Sequence, residues 1–234
     1  MFIIPCKYSA TSNNIITLVS QIRQYHPDEK IVVVDSASDD KSYFAELKKN
    51  NAIIEDVSNK HWMVGAYWHG FKKYPNEEFY TCLHDSTYVK TNIDYLKEQD
   101  LFMLATFNRA IGPSFTAWNH RVRDEMTIED QYIRSTGRGC YGPMFGCKRH
   151  VLQSLLDKGA DKLMPSTKAE TGIMEGTFGL FFEALGYDLD QCSLYGDILE
   201  LESPGGRSGE QPHYTAWQFP IEKFYASHID EERL

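Results

Sequence analysis

Between Met1 and Leu83, short apolar runs alternate with amphipathic stretches of helix length, and this alternation narrows the folds open to the chain more than any other feature. Met1 to Cys6 is apolar and predicts a buried first strand. After Asn13-Asn14, the residues Ile15, Leu18, Val19 and Ile22 share one helical face, and Pro27 stops that helix. Ile31 to Val34 is an unbroken β-branched run that halts at Asp35. An amphipathic stretch through Phe44 to Leu47 precedes the apolar Ala52 to Ile54; Trp62 to Tyr74 predicts a third helix and Phe79 to Leu83 a further strand. Strands that follow one another through helices need crossover connections, so the order predicts a doubly wound α/β domain, a mostly parallel central sheet flanked by helices on both faces. Ligands of such sheets gather at the carboxyl ends of the strands. Asp35 and the segment His84-Asp85-Ser86-Thr87 stand at two of those ends.

Beyond residue 100 the pattern is less regular. Leu101 to Thr106 predicts a strand, and Met144 to Cys147 another that feeds a helix within PMFGCKRHVLQSLL. Gly176 to Leu185 predicts a helix with Phe178, Phe181, Phe182 and Leu185 on its apolar face and Gly186 as its stop. Ser203 to Pro212 is a Gly/Pro/Ser-rich loop that carries Arg207.

Composition excludes several classes. At 234 residues the chain fits one domain with a substantial core. No apolar run approaches the roughly 20 residues of a membrane span, and MFIIPCKYSA lacks the basic flank and long apolar stretch of a secretory signal. The five cysteines (Cys6, Cys82, Cys140, Cys147 and Cys192) are an odd number without close pairing, which argues against a disulfide framework or zinc site and fits a reducing, cytoplasmic setting. A net charge of -9 disfavours nucleic acid as a partner.

Three clusters can carry chemistry. VVVDSASDD places Asp35, Ser36 and Ser38 where a buried strand ends; there they can read a ribose or a base edge, and equally they can cap a turn and the next helix. YTCLHDSTYV ends a strand in Asp85, an oxygen ligand of the type that Mg2+ or Mn2+ prefers, although a lone Asp after a strand is commonly a turn residue. Glu175 stands just before the predicted Gly176 to Leu185 helix, able to take a proton from a hydroxyl as general base or simply to complement the helix dipole. The aromatics Phe107, Phe115, Trp118, Tyr132 and Tyr141 offer flat faces on which a sugar packs, Trp118 first among them, and most aromatics are core residues.

In their order along the chain these pieces resemble the GT-A glycosyltransferases, in particular the large family-2 inverting type. The resemblance is carried by FIIPCKYSATSNNIITLVSQI, by VVVDSASDD, by NKHWMVGAYWHGF from Asn59 and by LHDS in the first half. GPMFGCKRHVLQSL and IMEGTFGLFFEALGYDL carry it in the second. It covers Met1 to Leu189 and rests on order and spacing. The family's metal motif is an Asp-x-Asp pair, and this chain has the reduced His84-Asp85-Ser86-Thr87 in its place.

The resemblance implies a GT-A (nucleotide-diphospho-sugar transferase) fold over 1–234, with residues 1–100 as the donor half and 101–234 as the acceptor half. It implies a donor site of Pro5, Lys7, Asp35, Ser36, Asn59, Lys60, Trp62, Asp85 and Arg207, taking a UDP- or GDP-sugar. Trp118, Met144 and Glu175 are implied for a glycan or other hydroxyl acceptor, with Glu175 as the catalytic base of an inverting displacement. A divalent cation, Mn2+ or Mg2+, would sit on Asp85 with help from His213, which falls where some members place a histidine ligand. Cations such as Lys60 and Arg207 are the alternative counter-charge, and closure of Ser203 to Tyr214 would shield the donor. Two rivals stand beside this reading. A sugar nucleotidyltransferase normally has a Gly-rich phosphate loop, which PCKYSATSNN lacks, and a GT-A-like module can bind nucleotide or glycan without turnover.

Overall fold

A computed structural model describes residues 1–8, 14–109, 118, 121–122, 124–126, 128, 137–198 and 220–223. Its elements follow the predicted alternation: β1 (Phe2–Cys6), α1 (Ile15–Tyr25), β2 (Ile31–Asp35), α2 (Tyr43–Lys49), β3 (Ile53–Asp56), α3 (Trp62–Lys73) and β4 (Phe79–Cys82). The second half adds β5 (Thr87–Val89), β6 (Leu101–Met103), β7 (Thr106–Arg109), β8 (Gly137–Cys140), β9 (Phe145–Lys148), α4 (Arg149–Asp157), α5 (Lys168–Ala184), α6 (Leu189–Cys192) and β10 (Ile221–Lys223).

The architecture is a mixed α/β fold around a central, mostly parallel sheet with strand order β3-β2-β1-β4-β9-β6. β3, β2, β1 and β4 run parallel, whereas β9 is antiparallel to both of its neighbours. Pairing of Cys6 with Asp35 and of Asp35 with Asp56 brings three carboxyl ends into line.

The β-branched run explains how the sheet carries helices on both faces. Side chains alternate along a strand. Val32 and Val34 therefore enter one core with Ile3, the α3 residues Val64, Tyr67, Trp68 and Phe71, and the α5 phenylalanines Phe178, Phe181 and Phe182. Ile31 and Val33 enter the other with Phe2 and Ile4, the α1 face of Ile15, Leu18, Val19 and Ile22, and Tyr43 and Leu47 of α2. Each fully buried Val or Ile is worth about 1.5–3 kcal/mol, so a sheet buried on both faces is what this composition favours.

Three features depart from the sequence pattern. The strand expected over Leu101 to Thr106 breaks into β6 and β7: Leu104 donates its amide hydrogen to the Met144 carbonyl and Thr106 to that of Gly196, and β7 leaves the main sheet to pair with β8. Hydrophobic periodicity carries no strand direction, so nothing in it distinguished the antiparallel β9. The helix expected from Gly176 begins at Lys168, because Thr167 and Glu170 form a capping box two turns earlier. No helix among the described residues is long and apolar enough to cross a membrane, and the five cysteines are free thiols, four of them buried.

Candidate functional site

The loops after β1, β2 and β4 surround a cavity of about 440 Å³. Pro5, Lys7, Ser36, Asn59, Lys60, Trp62 and Asp85, all singled out from the sequence, line it together. Cys6, Ala37, Met63, His84 and Lys168 complete the lining. Lys168 comes from the far half of the chain, and the signal that locates it is Ser166-Thr167-Lys168-Ala169-Glu170: an N-cap threonine followed three residues later by Glu starts a helix with Lys168 at its first position.

Local hydrogen bonding fixes the loops. Ser36 donates its amide hydrogen to the Cys6 carbonyl at 2.7 Å. The Asn59 side chain donates to the Ser36 hydroxyl at 3.1 Å and to the Trp62 carbonyl at 2.5 Å, while its oxygen accepts from the His61 amide at 3.0 Å. Asn59 thus ties the end of β2 to the start of α3. Gly65 makes room for this brace: a Cβ there would stand 2.2 Å from Asn59 Oδ1. Ala37 and Trp62 both have left-handed backbone, φ 58° and 48°. Each costs of the order of 1–2 kcal/mol, a strain that the surrounding bonds hold in place beside the cavity.

Asp35 is not part of the lining. It is fully buried, and its oxygens accept hydrogen bonds from Tyr43 Oη at 2.5 Å, from the Ser38 amide at 3.1 Å and from the Lys41 ammonium. Burial opposes its charge, but Lys41, Ser38 and Tyr43 together hold its carboxyl below the usual range. Tyr8 stacks on Tyr43 with ring centroids 4.4 Å apart, and its amide donates to Ser38 Oγ at 2.7 Å. Asp35 here anchors the β1 and β2 loops to one another.

Asp85 is half-buried on the lining. Among the described residues it is the lining's single carboxylate, and it shares the wall with the ammonium groups of Lys7, Lys60 and Lys168. A hard divalent cation takes oxygen ligands. Among the described residues no group of three or more His, Cys, Asp or Glu side chains stands close enough to hold a metal ion. Among the described residues, a lining of one carboxylate and three ammonium groups does not fit a metal-centred site. His213 and Arg207 lie outside the described residues.

Glu175 is half-buried at the eighth residue of α5, well beyond the first turn where a helix dipole favours acids; Glu170 occupies that turn. The helix is seated against β8, since a Cβ on Gly179 would come within 2.0 Å of the Arg138 carbonyl oxygen. Burial pushes the Cys140 thiol of β8 up, and the charge of Glu175 adds to that; burial, Cys82, Cys140 and Asp85 do the same for the Tyr67 hydroxyl. Asp85 and Glu175 thus act on one buried patch, although Glu175 does not line the cavity.

The other acceptor candidates are core side chains. Trp118 is 3% exposed and lies under the Arg121 guanidinium, 4.4 Å from the ring centroid, and Met144 is wholly buried. Neither offers an open face to an acceptor. Phe107 covers Gly139 and Tyr141 packs on the second core, whereas Phe115 and Tyr132 lie outside the described residues.

No family model matches the chain, and no curated protein matches it. Among solved structures it is similar to S. aureus TarS 1-349 in complex with UDP, at 16% identity and a TM-score of 0.43 over 78% of this chain and 54% of that one. The same TarS segment without UDP gives 16% and 0.43 over 77% and 54%. Glucosyl-3-phosphoglycerate synthase from Mycobacterium tuberculosis, in complex with Mn2+, UDP-glucose and phosphoglyceric acid, gives 11% and 0.37 over 80% and 79%. The chain spans about half the length of the TarS structures.

Proposed function

We propose that the chain is a GT-A-type glycosyltransferase that moves a sugar from a nucleotide-diphosphate sugar to a hydroxyl acceptor. The observation that carries the proposal is the cavity at the strand ends: seven residues chosen from the sequence for a donor site come together on its wall. A volume of about 440 Å³ suits a small-molecule ligand. Residues 1–100 supply most of the wall as the donor half; Lys168, from the acceptor half, reaches the same cavity.

In this reading Ser36 and the β2 loop hold the nucleoside, Asp85 accepts hydrogen bonds from sugar or ribose hydroxyls, and the diphosphate lies among the lysines. The acceptor oxygen attacks the anomeric carbon from the face opposite the diphosphate. Its bond to carbon forms as the bond from carbon to the diphosphate oxygen breaks, the acceptor proton passes to Glu175, and the nucleoside diphosphate leaves with the electron pair. A UDP- or GDP-sugar is the donor, a glycan or another hydroxyl compound the acceptor, and the cytoplasm the setting.

Thermal unfolding with a panel of nucleoside diphosphates and their sugars tests the donor site. A ligand at 100 times its Kd should stabilise by about 2.7 kcal/mol. Selective stabilisation by one base is expected, and none across the panel would overturn the reading. The position of Glu175 outside the cavity lining favours one rival, a nucleotide-binding module without turnover. Glu175→Gln separates the two. Loss of transfer with donor binding intact supports catalysis, whereas a wild type that binds donor and releases no nucleoside diphosphate supports the module.

A further inference from the structure

We infer that Lys7, Lys60 and Lys168 neutralise the donor diphosphate, so that donor binding and transfer need no divalent cation; this rests on the glycosyltransferase reading above.

The three lysines come from separate places, the end of β1, the loop before α3 and the first position of α5, and they converge on one cavity. All three are exposed, and none forms an ion pair with a described residue. Elsewhere Lys30, Lys41, Lys72, Lys73, Lys97 and Lys148 each meet a carboxylate. Lys48, Lys158 and Lys162 also meet no carboxylate among the described residues, so it is the convergence of three lysines on one cavity that marks the site. Three ammonium groups that share one cavity and meet no carboxylate among the described residues suit a site that receives an anion.

The charge balance is specific. Among the described residues, three ammonium groups and one carboxylate give the lining a net charge of +2. A nucleotide-diphosphate sugar carries one negative charge on each of its two phosphates, so it matches that charge without a metal. A divalent cation would instead raise the positive charge of a cavity that offers it a single carboxylate. On departure the nucleoside diphosphate gains a further negative charge, and a lysine that strengthens its hydrogen bond at that moment lowers the barrier.

The test is isothermal titration of the full chain with UDP, GDP and their sugars, in chelator and in Mn2+ or Mg2+. The expected result is equal affinity with and without metal, with affinity falling steeply as salt rises. Lys7→Gln, Lys60→Gln and Lys168→Gln should each weaken binding about tenfold, the loss of one charge-assisted contact. Lys148→Gln, whose partner is Asp100, should leave it unchanged. Asp85→Asn removes the opposing charge while its amide oxygen can still accept from a hydroxyl, so it should keep or tighten binding of UDP and GDP themselves, the sugar contact aside. Binding that appears only with metal, or that Asp85→Asn abolishes in the presence of metal, overturns the inference and leaves the glycosyltransferase reading standing. No binding of any nucleotide under any condition overturns both. Circular dichroism checks that each variant keeps the wild-type fold.

Discussion

Asp35 and Asp85 are written alike in the sequence: each follows a buried strand and is followed by hydroxyl residues. The fold gives them opposite surroundings. Asp35 is sealed beneath its loop with its charge answered by Lys41, Tyr43 and Ser38, whereas Asp85 stands half-buried on a cavity wall that it shares with Lys7, Lys60 and Lys168. The difference arises within eight residues. Lys41 and Tyr43, six and eight residues on, turn back onto Asp35, while Lys90, five residues beyond Asp85, pairs with Glu222 of β10 instead. A carboxylate at a strand end becomes structural when the next cation along its own loop turns back onto it, and the partner that this cation takes decides between the two outcomes.

The largest effect should come from removing the structural member of the pair. Asp35→Asn breaks a buried, hydrogen-bonded charge. Breaking such a pair when both partners are buried costs about 3–5 kcal/mol; because Lys41 is 37% exposed and retains Asp56, a smaller loss of about 2–3 kcal/mol is expected. Urea unfolding at neutral pH measures it. A loss near zero would remove the distinction between the two aspartates.

Acid should erase the same difference. The folded-state pKa of Asp35 lies below its unfolded value, so its contribution is fully present above the unfolded pKa, near 4, and is lost as pH falls through the lower folded value. The stability gap between wild type and Asp35→Asn should therefore narrow below about pH 4 and not on the alkaline side. A constant gap from neutrality into acid would show that shape rather than charge is responsible.

The brace that joins the two regions comes next. Gly65→Ala places a methyl 2.2 Å from Asn59 Oδ1, so the side chain must move and release Ser36. A loss of about 1 kcal/mol, of the size of one hydrogen bond, is expected together with weaker donor binding. Because both changes act through one bond network, Gly65→Ala with Asn59→Ala should cost less than the two single losses added. Strict additivity would disprove the brace.

What the sequence made legible follows the reach of each signal. Strands β1 to β4 and helices α1 to α3 were readable because their apolar periodicity is local and continuous. The cavity wall was readable for the same reason, since Pro5, Ser36, Asn59 and Asp85 follow directly from where those strands and helices begin and end. Lys168 was not, because it arrives through tertiary packing from more than eighty residues beyond Asp85. The burial of Trp118 and Met144 was equally hidden: an apolar side chain reads the same in sequence whether it faces the core or a ligand. The start of α5 was legible in its capping box, yet the phenylalanine periodicity pointed to a later beginning.

The smallest expected change of stability returns to the member of the pair on the cavity wall. Asp85→Asn should alter unfolding free energy by less than about 1 kcal/mol, because the group is half-buried and solvent reaches it on the wall. Side by side in one urea series, Asp35→Asn and Asp85→Asn then separate by the larger part of the Asp35 loss. If Asp85→Asn costs as much as Asp35→Asn, Asp85 holds the fold together, and the carboxylate on the cavity wall is structural as well. If it costs little, folding does not account for an acid on a wall with three lysines, and a ligand that presents hydroxyls beside an anionic diphosphate does.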